Sequence, residues 1–454
     1  MPDRSDYLRY VADLHAAYAA IPPGQPVRLR KRTSNLFRPR AQAPANLDVT
    51  PFAGVLAVDA AERTADVLGM TTYRDLVDAT LQHGLMPLVV PQLKTITLGG
   101  AVTGMGIESS SFRVGGPHES VLEMDVLTGA GEVVTATPTN DHADLFHAFP
   151  NSYGSLGYAL RLKIELARVE PHVHLRNLRF DDATAGATAI ASIVDTGEHD
   201  GQRVDFLDGV WFSAGECYLV LGTFSRTAPT TSDYTGSRIY YRSIQERRED
   251  WLTVLDYLWR WDTDWFWCSR AFGAQHPVVR RLWPRRWRRS DVYWKLVALN
   301  RRTGFSRWRD RRRGIAGRED VVQDIEVPAD RTAEFLAFLD AETGIEPVWL
   351  CPLRQRDPTT RWDLYALDPD TTYVNIGFWS SVELAAGDSD GVHNRAIEKK
   401  VAELNGRKSL YSTAFYSPEE FWQTYGGAAY DKVKATYDPD GRLLSLYDKT
   451  VRRR

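Results

Sequence analysis

The chain has 454 residues, of which 43% are apolar and 25% are charged, and its formal net charge is −3. That length exceeds what one hydrophobic core organises and predicts about two to three domains, while the small net charge excludes a global attraction to nucleic acid. Three widely separated cysteines exclude a disulfide framework and a zinc site and are typical of a protein of the reducing cytoplasm. No apolar run approaches the roughly 20 residues that a membrane-spanning helix needs.

The predicted elements begin with an amphipathic helix over residues 1–20, which a basic, proline-containing loop ends. Residues 54–70 predict two short strands around a turn at 59–63. Residues 71–84 predict a helix, because a threonine can cap its start and a glycine can end it. The run LMPLVVP at 85–91 predicts a short buried strand.

Residues 93–121, LKTITLGGAVTGMGIESSSFRVGGPHESV, contain six glycines among many hydroxyl side chains. An ordered glycine costs backbone entropy, so a run of glycines indicates close approach of the main chain to a bulky polar group. The residues after GAVTGMG do not favour a helix, so the stretch lacks the strand, GxGxxG and helix of a Rossmann unit. The stretch therefore predicts a loop that cradles a polar ligand.

The rest of the chain predicts a mixed structure. Residues 121–138 predict a hairpin, and a glycine-bearing turn at 151–157 precedes another strand. After that strand, alternating apolar runs predict antiparallel strands. Residues 240–313 instead combine a tryptophan-rich helical pattern with thirteen arginines between 280 and 313. Ser417 and the three residues after it predict a helix start.

Several stretches, in chain order, resemble one family of flavoproteins. They are VVPQLKTITLGGAVTGMGIESSSFRVG at 89–115, NSYGSLGYALRLKIEL at 151–166, VVQDIEVP at 321–328, IEPVWLCPLR at 345–354, YSTAFYSPEEFW at 411–422 and YDK at 447–449. The chain resembles the FAD-binding oxidoreductases of the vanillyl-alcohol-oxidase, or PCMH, type. Within that superfamily it is most similar to the delta(24)-sterol reductase group and its bacterial relatives.

The resemblance implies an α+β fold with two main domains. Residues 1–165 would form a two-part FAD-binding PCMH-type domain, and residues 166–400 an antiparallel-sheet substrate domain, or cap. Residues 240–313 would be a helical insertion in the cap that is rich in tryptophan and arginine. Residues 401–454 would be a C-terminal helical segment that completes the flavin and substrate site.

The resemblance also implies FAD, with its pyrophosphate over glycine-rich loops whose bare N–H groups form an anion nest. Hydroxyl side chains beside the glycines would bind phosphate or ribityl oxygens, and His118 would order the loop or face the flavin. The expected FAD-binding residues are Thr33, Ser34, Asn35, Gln92, Thr95, Thr97, Leu98, Gly99, Gly100, Thr103, Gly104, Gly106, Ile107, Glu108, Ser109, Ser110, His118, Val121, Gly154 and Gly157. KRTSN at 31–35 lacks the glycines that are usual in the first phosphate loop of the family. Residues 28–40 contain no histidine or cysteine that could tether the flavin, so FAD is expected to bind non-covalently.

Members of this group reduce an unactivated carbon–carbon double bond with FAD, and NADPH is the expected reductant. An isolated alkene has no carbonyl group to polarise it. Protonation of its less substituted carbon must therefore place positive charge on a tertiary carbon, which hydride then quenches. Such a site needs a positioned acid in a dry, apolar pocket. The candidate acids are Tyr411, Tyr416, Asp324 and Glu108, and packing or loop hydrogen bonding is the alternative role of each; no metal is expected.

A branched alkene in a lipid is the expected substrate. High arginine and alanine content favours a GC-rich bacterial source, and there a 10-methylene fatty acyl chain, made by a methyltransferase, is the favoured substrate. A sterol or isoprenoid side chain is the alternative. Two other classes stay open: a flavin-dependent alcohol or sugar oxidase or epimerase of the same fold, and a non-catalytic lipid-binding protein with a decayed flavin site.

Arginine mixed with tryptophan within residues 280–313 favours an anionic membrane surface, because such side chains dock on lipid headgroups. The segment predicts a peripheral protein at the inner face of the membrane, with a lipid-borne substrate. A solvated face, balanced by acidic residues elsewhere, is the alternative. Nucleic acid is not an expected partner, because the overall charge is negative.

Overall fold

The computed structural model describes residues 2–38, 46–303, 310, 312, 314, 315, 317–385 and 387–452. Most of the last ten residues of the predicted insertion, and the end of the early basic loop, lie outside the described residues. The chain is a mixture of helices and antiparallel sheets, as the resemblance implies. No described helix has both the length and the apolar character that crossing a bilayer requires.

The first sheet contains six strands, in the order β3-β4-β8-β6-β7, with β5 paired to β8. Its strands are β3 (Val55–Asp59), β4 (Thr64–Leu68), β5 (Leu85–Pro87), β6 (Val121–Leu127), β7 (Val133–Ala136) and β8 (Tyr158–Arg168), preceded by a parallel pair, β1 (Leu29–Arg30) and β2 (Leu47–Asp48). The predicted hairpins at 54–70 and 121–138 are confirmed, because β3 pairs with β4 and β6 pairs with β7 in antiparallel register.

The second sheet contains eight strands, in the order β14-β9-β13-β12-β16-β17-β15-β18. Its strands are β9 (His172–Phe180), β12 (Phe206–Ser213), β13 (Glu216–Ser225), β14 (Glu249–Thr253), β15 (Arg318–Pro328), β16 (Val348–Leu353), β17 (Tyr373–Glu383) and β18 (Arg407–Lys408), and a small hairpin joins β10 (Glu198–His199) to β11 (Gln202–Arg203). Only residues 169–171 separate β8 of the first sheet from β9 of the second. The change of sheet falls close to the boundary expected at residue 165.

The helices lie on and between the sheets. The α-helices are Arg4–Ala19, Tyr73–Leu81, Leu98–Gly104, Ser111–Val114, Ala143–Ala148, Ala183–Thr196, Tyr240–Glu246, Val254–Leu258, Pro277–Leu282, Ser290–Thr303, Thr332–Thr343, Val392–Glu403, Pro418–Thr424, Gly427–Tyr437 and Leu446–Thr450, and the 3-10 helices are Pro117–Ser120, Cys268–Phe272, Arg285–Trp287 and Ala329–Arg331. Two predicted starts are confirmed: the Thr72 side chain accepts from Asp75 N, and Ser417 and Glu420 form a capping box.

One prediction about the glycine stretch is wrong, because Leu98–Gly104 is a helix and not a loop. The Thr97 side chain caps this helix by accepting from the Gly100 N–H at 3.2 Å. Packing overrides the poor helix propensity of glycine here, since a Cβ on Gly99 would stand 2.8 Å from the Gly69 carbonyl oxygen. The predicted helical insertion is also interrupted: Glu249–Thr253 is a strand that pairs with β9.

The C-terminal segment packs against the first sheet and its loops. Lys434 Nζ donates to the Ser155 carbonyl at 2.7 Å, and Lys449 Nζ donates to the Gly154 carbonyl at 2.6 Å. Arg442 supplies the carbonyl that accepts from Val27 N at 2.8 Å. The first domain is therefore built from both ends of the described chain.

Candidate functional site

Asp324 on β15 and Tyr411 just beyond β18 form a pair of neighbouring, partly buried side chains. The Ser409 N–H donates to the Asp324 carbonyl at 3.0 Å, which fixes the Tyr411 segment against β15. Trp379 Nε1 donates to the Tyr411 hydroxyl at 2.9 Å, and Asn375 Nδ2 donates to Asp324 Oδ1 at 3.1 Å. The structure thus brings together two of the four acid candidates.

Gly377 makes the space that this pair occupies. It lies opposite Asp324 in the β15–β17 register, and Asn375 and Trp379 lie two residues away on the same strand face. A Cβ on Gly377 would collide with Asp324 Oδ1 and would stand 2.9 Å from the Trp379 ring. Any other residue at position 377 would displace the carboxyl group or the indole.

Burial makes both members of the pair hold their protons more tightly. It raises the pKa of Asp324 to about 6, although the hydrogen bond from Asn375 opposes the rise. Burial, together with the nearby Asp324 charge, raises the pKa of Tyr411 well above its usual value. Asp324 is therefore the stronger acid of the two, and the Tyr411 hydroxyl lies beside it.

A second carboxyl group, Glu326, lies on the same face of β15 two residues further along. The Tyr365 hydroxyl donates to it, and burial raises the pKa of Glu326 to about 8. Tyr365 also lines a narrow cleft with Gly106, His118 and Trp362. The carboxyl cluster therefore adjoins the glycine stretch.

His118 lies in that cleft as a neutral side chain. Burial lowers the pKa of His118 to about 3, and its ring meets the Trp362 ring edge-on at 4.6 Å. Its Nδ1 atom has no hydrogen-bond partner among the described residues. An unused polar atom in a buried cleft calls for a ligand, because burying it unpaired costs free energy.

The turn at 151–157 reaches the glycine stretch through Tyr153. The Tyr153 hydroxyl donates to the Gly104 carbonyl at 3.1 Å, and the Arg38 guanidinium lies 4.9 Å from the centre of its ring. Asn151 and Tyr153 both have left-handed backbone, with φ of 63° and 47°. A tyrosine in this region is uncommon, and such strain concentrates at binding sites.

Several hydroxyl groups expected to contact phosphate are engaged within the protein. Thr103 Oγ1 donates to the Gly99 carbonyl at 2.9 Å, and Ser110 Oγ donates to the Leu88 carbonyl at 2.8 Å. Ser109 Oγ lies 2.8 Å from the Tyr257 hydroxyl. These side chains organise the stretch, and ligand contacts from it would come mainly from the main chain.

The other expected cofactor residues surround this stretch. Thr95 Oγ1 donates to Asn35 Oδ1 at 3.2 Å, which ties the 33–35 loop to it, and Gln92 Nε2 donates to the Ile107 carbonyl at 2.9 Å. Gly106 lies between Pro91 and Pro117, and a Cβ there would stand 3.1 and 3.2 Å from their rings. Gly154 and Gly157 pack as closely against Tyr158 and Val126, and Leu98 and Val121 are buried.

Glu108 and Tyr416 belong to other clusters. Arg260 Nη2 donates to Glu108 Oε1 and to Asp208 Oδ2, both at 2.8 Å. All three side chains are buried. This Arg260 ion-pair cluster joins the glycine stretch, the second sheet and the insertion. The Tyr416 ring packs against the rings of Phe421 and Tyr425. Neither residue has a hydrogen bond to Asp324 or Tyr411 among the described contacts.

Aromatic rings enclose the Asp324–Tyr411 pair. The Phe37 ring lies 5.6 Å from the Tyr411 ring and stacks on Trp265 at 5.7 Å. The rings of Phe266 and Trp379 lie 4.4 Å apart. Such walls exclude water and suit an apolar substrate.

Comparisons with known proteins agree with this arrangement. Residues 7–137 match the family described as FAD binding domain. The chain is 24% identical over 446 residues to the delta(24)-sterol reductase of Arabidopsis thaliana, which covers 90% of this chain and 77% of the relative. It is 25% identical over 411 residues to the human delta(24)-sterol reductase, covering 87% and 75%, and 36% identical over 117 residues to cytokinin dehydrogenase 7 of Oryza sativa subsp. japonica, covering 26% and 22%. Residues 7–137 therefore match an FAD binding domain, and the chain is an FAD-binding oxidoreductase that is similar over most of its length to the delta(24)-sterol reductases.

Proposed function

We propose that this chain reduces an isolated, branched carbon–carbon double bond in a lipid, and that Asp324 and Tyr411 deliver the proton. The observation that carries the proposal is the placement of these two side chains side by side, held by Asn375 and Trp379 within a wall of aromatic rings. An enclosed acid with apolar neighbours suits an alkene that has no polar group beside the reacting carbons.

A sterol or isoprenoid side chain is the substrate class that the relatives favour, since several of them are named delta(24)-sterol reductase. That name supports this class more strongly than the 10-methylene fatty acyl chain, which rests on composition alone. Both are branched alkenes and demand the same proton placement, so both belong in the assay. An alcohol or sugar oxidase is disfavoured, because its substrate would need polar partners where Phe37, Trp265 and Trp379 lie.

The residues of the cleft fit FAD. His118 Nδ1 is a buried polar atom without a partner among the described residues, and Gly106 and Gly116 expose main chain beside it. These two glycines let Pro91, Pro117 and the His118 ring pack closely around the cleft, while bare N–H groups of the glycine stretch can bind phosphate. The residues that would hold FAD non-covalently are His118, the 97–110 stretch and the 151–157 turn. When bound, FAD supplies the hydride, and NADPH is its proposed reductant.

The proton route uses groups of this chain alone. Protonated Asp324 can donate to the Tyr411 oxygen, which Trp379 Nε1 already holds in place at 2.9 Å. The Tyr411 O–H is then free to give its proton to the less substituted alkene carbon. Positive charge develops on the tertiary carbon, and aromatic faces nearby can stabilise it while they keep water away.

Reduction in D2O with unlabelled NADPH tests the proposal. Deuterium is expected on the less substituted alkene carbon, where mass spectrometry of the product can locate it. Tyr411→Phe is expected to slow alkene reduction by about 100-fold or more, while NADPH still reduces the flavin at the wild-type rate. Tyr416→Phe is the matched control, since the Tyr416 ring packs against Phe421 and Tyr425 in a separate cluster. A product without deuterium at that carbon, or normal turnover by Tyr411→Phe, would contradict this mechanism.

A further inference from the structure

Large apolar side chains are exposed on one part of the insertion. Eight such side chains are exposed among the described residues, and five of them lie between positions 278 and 299. Leu282 is 78% exposed, Val278 is 60% exposed and Trp287 is 49% exposed. Scattered single apolar residues are ordinary on a surface, whereas such a concentration marks an interaction site.

Two buried arginines hold this apolar surface in place. Arg280 donates to both carboxylate oxygens of Asp264, at 2.6 and 3.0 Å, and to the Gly236 carbonyl at 3.0 Å. Arg288 is also buried and donates to the Trp283 carbonyl at 2.9 Å. These two guanidinium groups therefore do not face lipid headgroups, which corrects the expectation that the whole 280–313 run is a basic face. They fix helix Pro277–Leu282 with its apolar side chains pointing outward.

Most of the exposed charges around the apolar side chains are positive. No acidic residue occurs between Trp265 and Ser290, a stretch that holds seven arginines. Arg281 and Arg286 are exposed. Arg285 is exposed as well, but Asp233 at 3.0 Å neutralises it. The surface thus combines protruding apolar groups with uncompensated positive charge.

The same part of the insertion leads to the aromatic enclosure. Helix Ser290–Thr303 begins directly after this segment and carries Trp294. The Trp294 ring lies 5.2 Å from the Phe37 ring, which lies 5.6 Å from the Tyr411 ring. An apolar molecule taken up at this surface would meet aromatic rings from there to the candidate acid.

We propose that a docking face formed by Val278, Arg281, Leu282, Arg286 and Trp287 binds an anionic lipid bilayer. The apolar side chains enter the boundary between headgroups and acyl chains, and the two arginines contact anionic headgroups. Tryptophan is favoured at that depth because its ring is amphipathic. The docking does not depend on the proposed reaction, and a binding assay without substrate measures it.

An environment-sensitive fluorophore on Leu282→Cys tests the docking directly. Two of the native cysteines are buried and the third is partly buried, so the introduced thiol is the accessible one among the described residues. Emission is expected to shift to shorter wavelength with vesicles of phosphatidylcholine and phosphatidylserine, and much less with phosphatidylcholine alone. Leu8→Cys is the control, because Leu8 is also an exposed leucine but lies outside the docking face, on helix Arg4–Ala19.

Sedimentation with the same vesicles measures the contributions of apolar and charged groups. Arg281→Glu with Arg286→Glu is expected to lower partition onto anionic vesicles by about 30-fold, and Val278→Ser with Leu282→Ser by about tenfold. Arg226→Glu is the charge control, since Arg226 is exposed directly after β13 and lies far along the chain from the docking face. All variants should keep wild-type flavin content, which verifies folding. Unchanged partition in both double variants, equal partition onto neutral and anionic vesicles, or no binding to either would overturn the proposal.

Discussion

At the scale of single residues, the surroundings of Asp324 decide its chemistry more than its residue type does. An aspartate in water is ionised at neutral pH, but burial raises the pKa of Asp324 to about 6. Gly377 leaves room for the carboxyl group, and the Tyr411 hydroxyl beside it accepts a hydrogen bond from Trp379 Nε1. A carboxylic acid with a raised pKa keeps a larger protonated fraction near neutral pH than an ordinary aspartate does, which suits general acid catalysis.

The rate of alkene reduction should therefore depend on pH through Asp324. The protonated form is the active one, so kcat/KM is expected to be flat below about pH 6 and to fall about tenfold per unit above it. Asp324→Asn should abolish this limb and lower the rate by about 100-fold or more. Initial rates with pre-reduced flavin between pH 5 and 8 measure both effects.

Glu319→Gln provides the matched control. Glu319 is also a buried carboxylate on β15, but the alternation of the strand places it on the opposite face, where it accepts from Asn394. Its amide variant should keep the wild-type pH profile. The same slope in Asp324→Asn as in the wild type would exclude Asp324 as the titrating acid.

At the scale of elements, local signals predicted much of the structure. Turn residues and alternation located the β3–β4 and β6–β7 hairpins, and hydroxyl caps located the helices at Tyr73 and Pro418. The Leu98–Gly104 helix was missed, because its stability comes from packing against Gly69 and not from its own sequence.

The site was predictable only in part. The sequence placed Asp324, Tyr411 and His118 among the candidates through motifs that resemble a family. The carboxyl pair Asp324 and Glu326 could have been noticed from their spacing on a strand. Gly377 and Trp379 could not, because the register of β15 with β17 brings them to Asp324 across more than 50 residues of chain. No local sequence pattern predicts a partner that lies so far away along the chain.

Arg260 illustrates the same limit and allows a test. Arg260→Met would leave two buried carboxylates, Glu108 and Asp208, without their cation. The free energy of unfolding is expected to fall by about 3–5 kcal/mol, and flavin retention should fall with it. Urea unfolding followed by tryptophan fluorescence measures the loss.

Two comparisons show whether the loss of stability comes specifically from the Arg260 ion-pair cluster. Adding Glu108→Gln and Asp208→Asn to Arg260→Met should restore part of the stability, because no unpaired charge then remains. Arg226→Met, which breaks only the exposed pair with Glu170, should change stability by less than about 1 kcal/mol. An Arg260→Met protein as stable as the wild type would show that the Arg260 ion-pair cluster contributes nothing to the free energy of unfolding.

At the scale of the whole molecule, the first domain is not a separable unit. Its sheet consists of strands between Val55 and Arg168, yet Leu443 lies in the core that packs helix Arg4–Ala19 against Leu127 and Leu160. Lys434 and Lys449 hold the 151–157 turn by its carbonyl groups. Residue 165 therefore lies near the point where the chain passes from the first sheet to the second. It does not delimit a unit that folds on its own.

Residues 1–168 expressed alone are expected to retain no flavin and to show no cooperative thermal transition. Their core would lack Leu443, and the carbonyl groups of Ser155 and Gly154 would lose their lysine donors. The complete chain, purified and assayed alongside, is the control for flavin absorbance. A yellow, cooperatively melting fragment would contradict this expectation.

The separation between Ser155 and Lys434 along the chain also means that the first domain is completed late in synthesis. The two residues are 279 positions apart, so on the order of 15 to 55 seconds pass between their appearance at the ribosome. During that interval the nascent first domain has an unfinished core, which is the kind of surface that chaperones bind. A ribosome that stops before residue 434 releases a chain that cannot hold its cofactor. Flavin binding and catalysis are therefore expected only of chains that include the C-terminal segment, and truncated products are expected to be colourless and inactive.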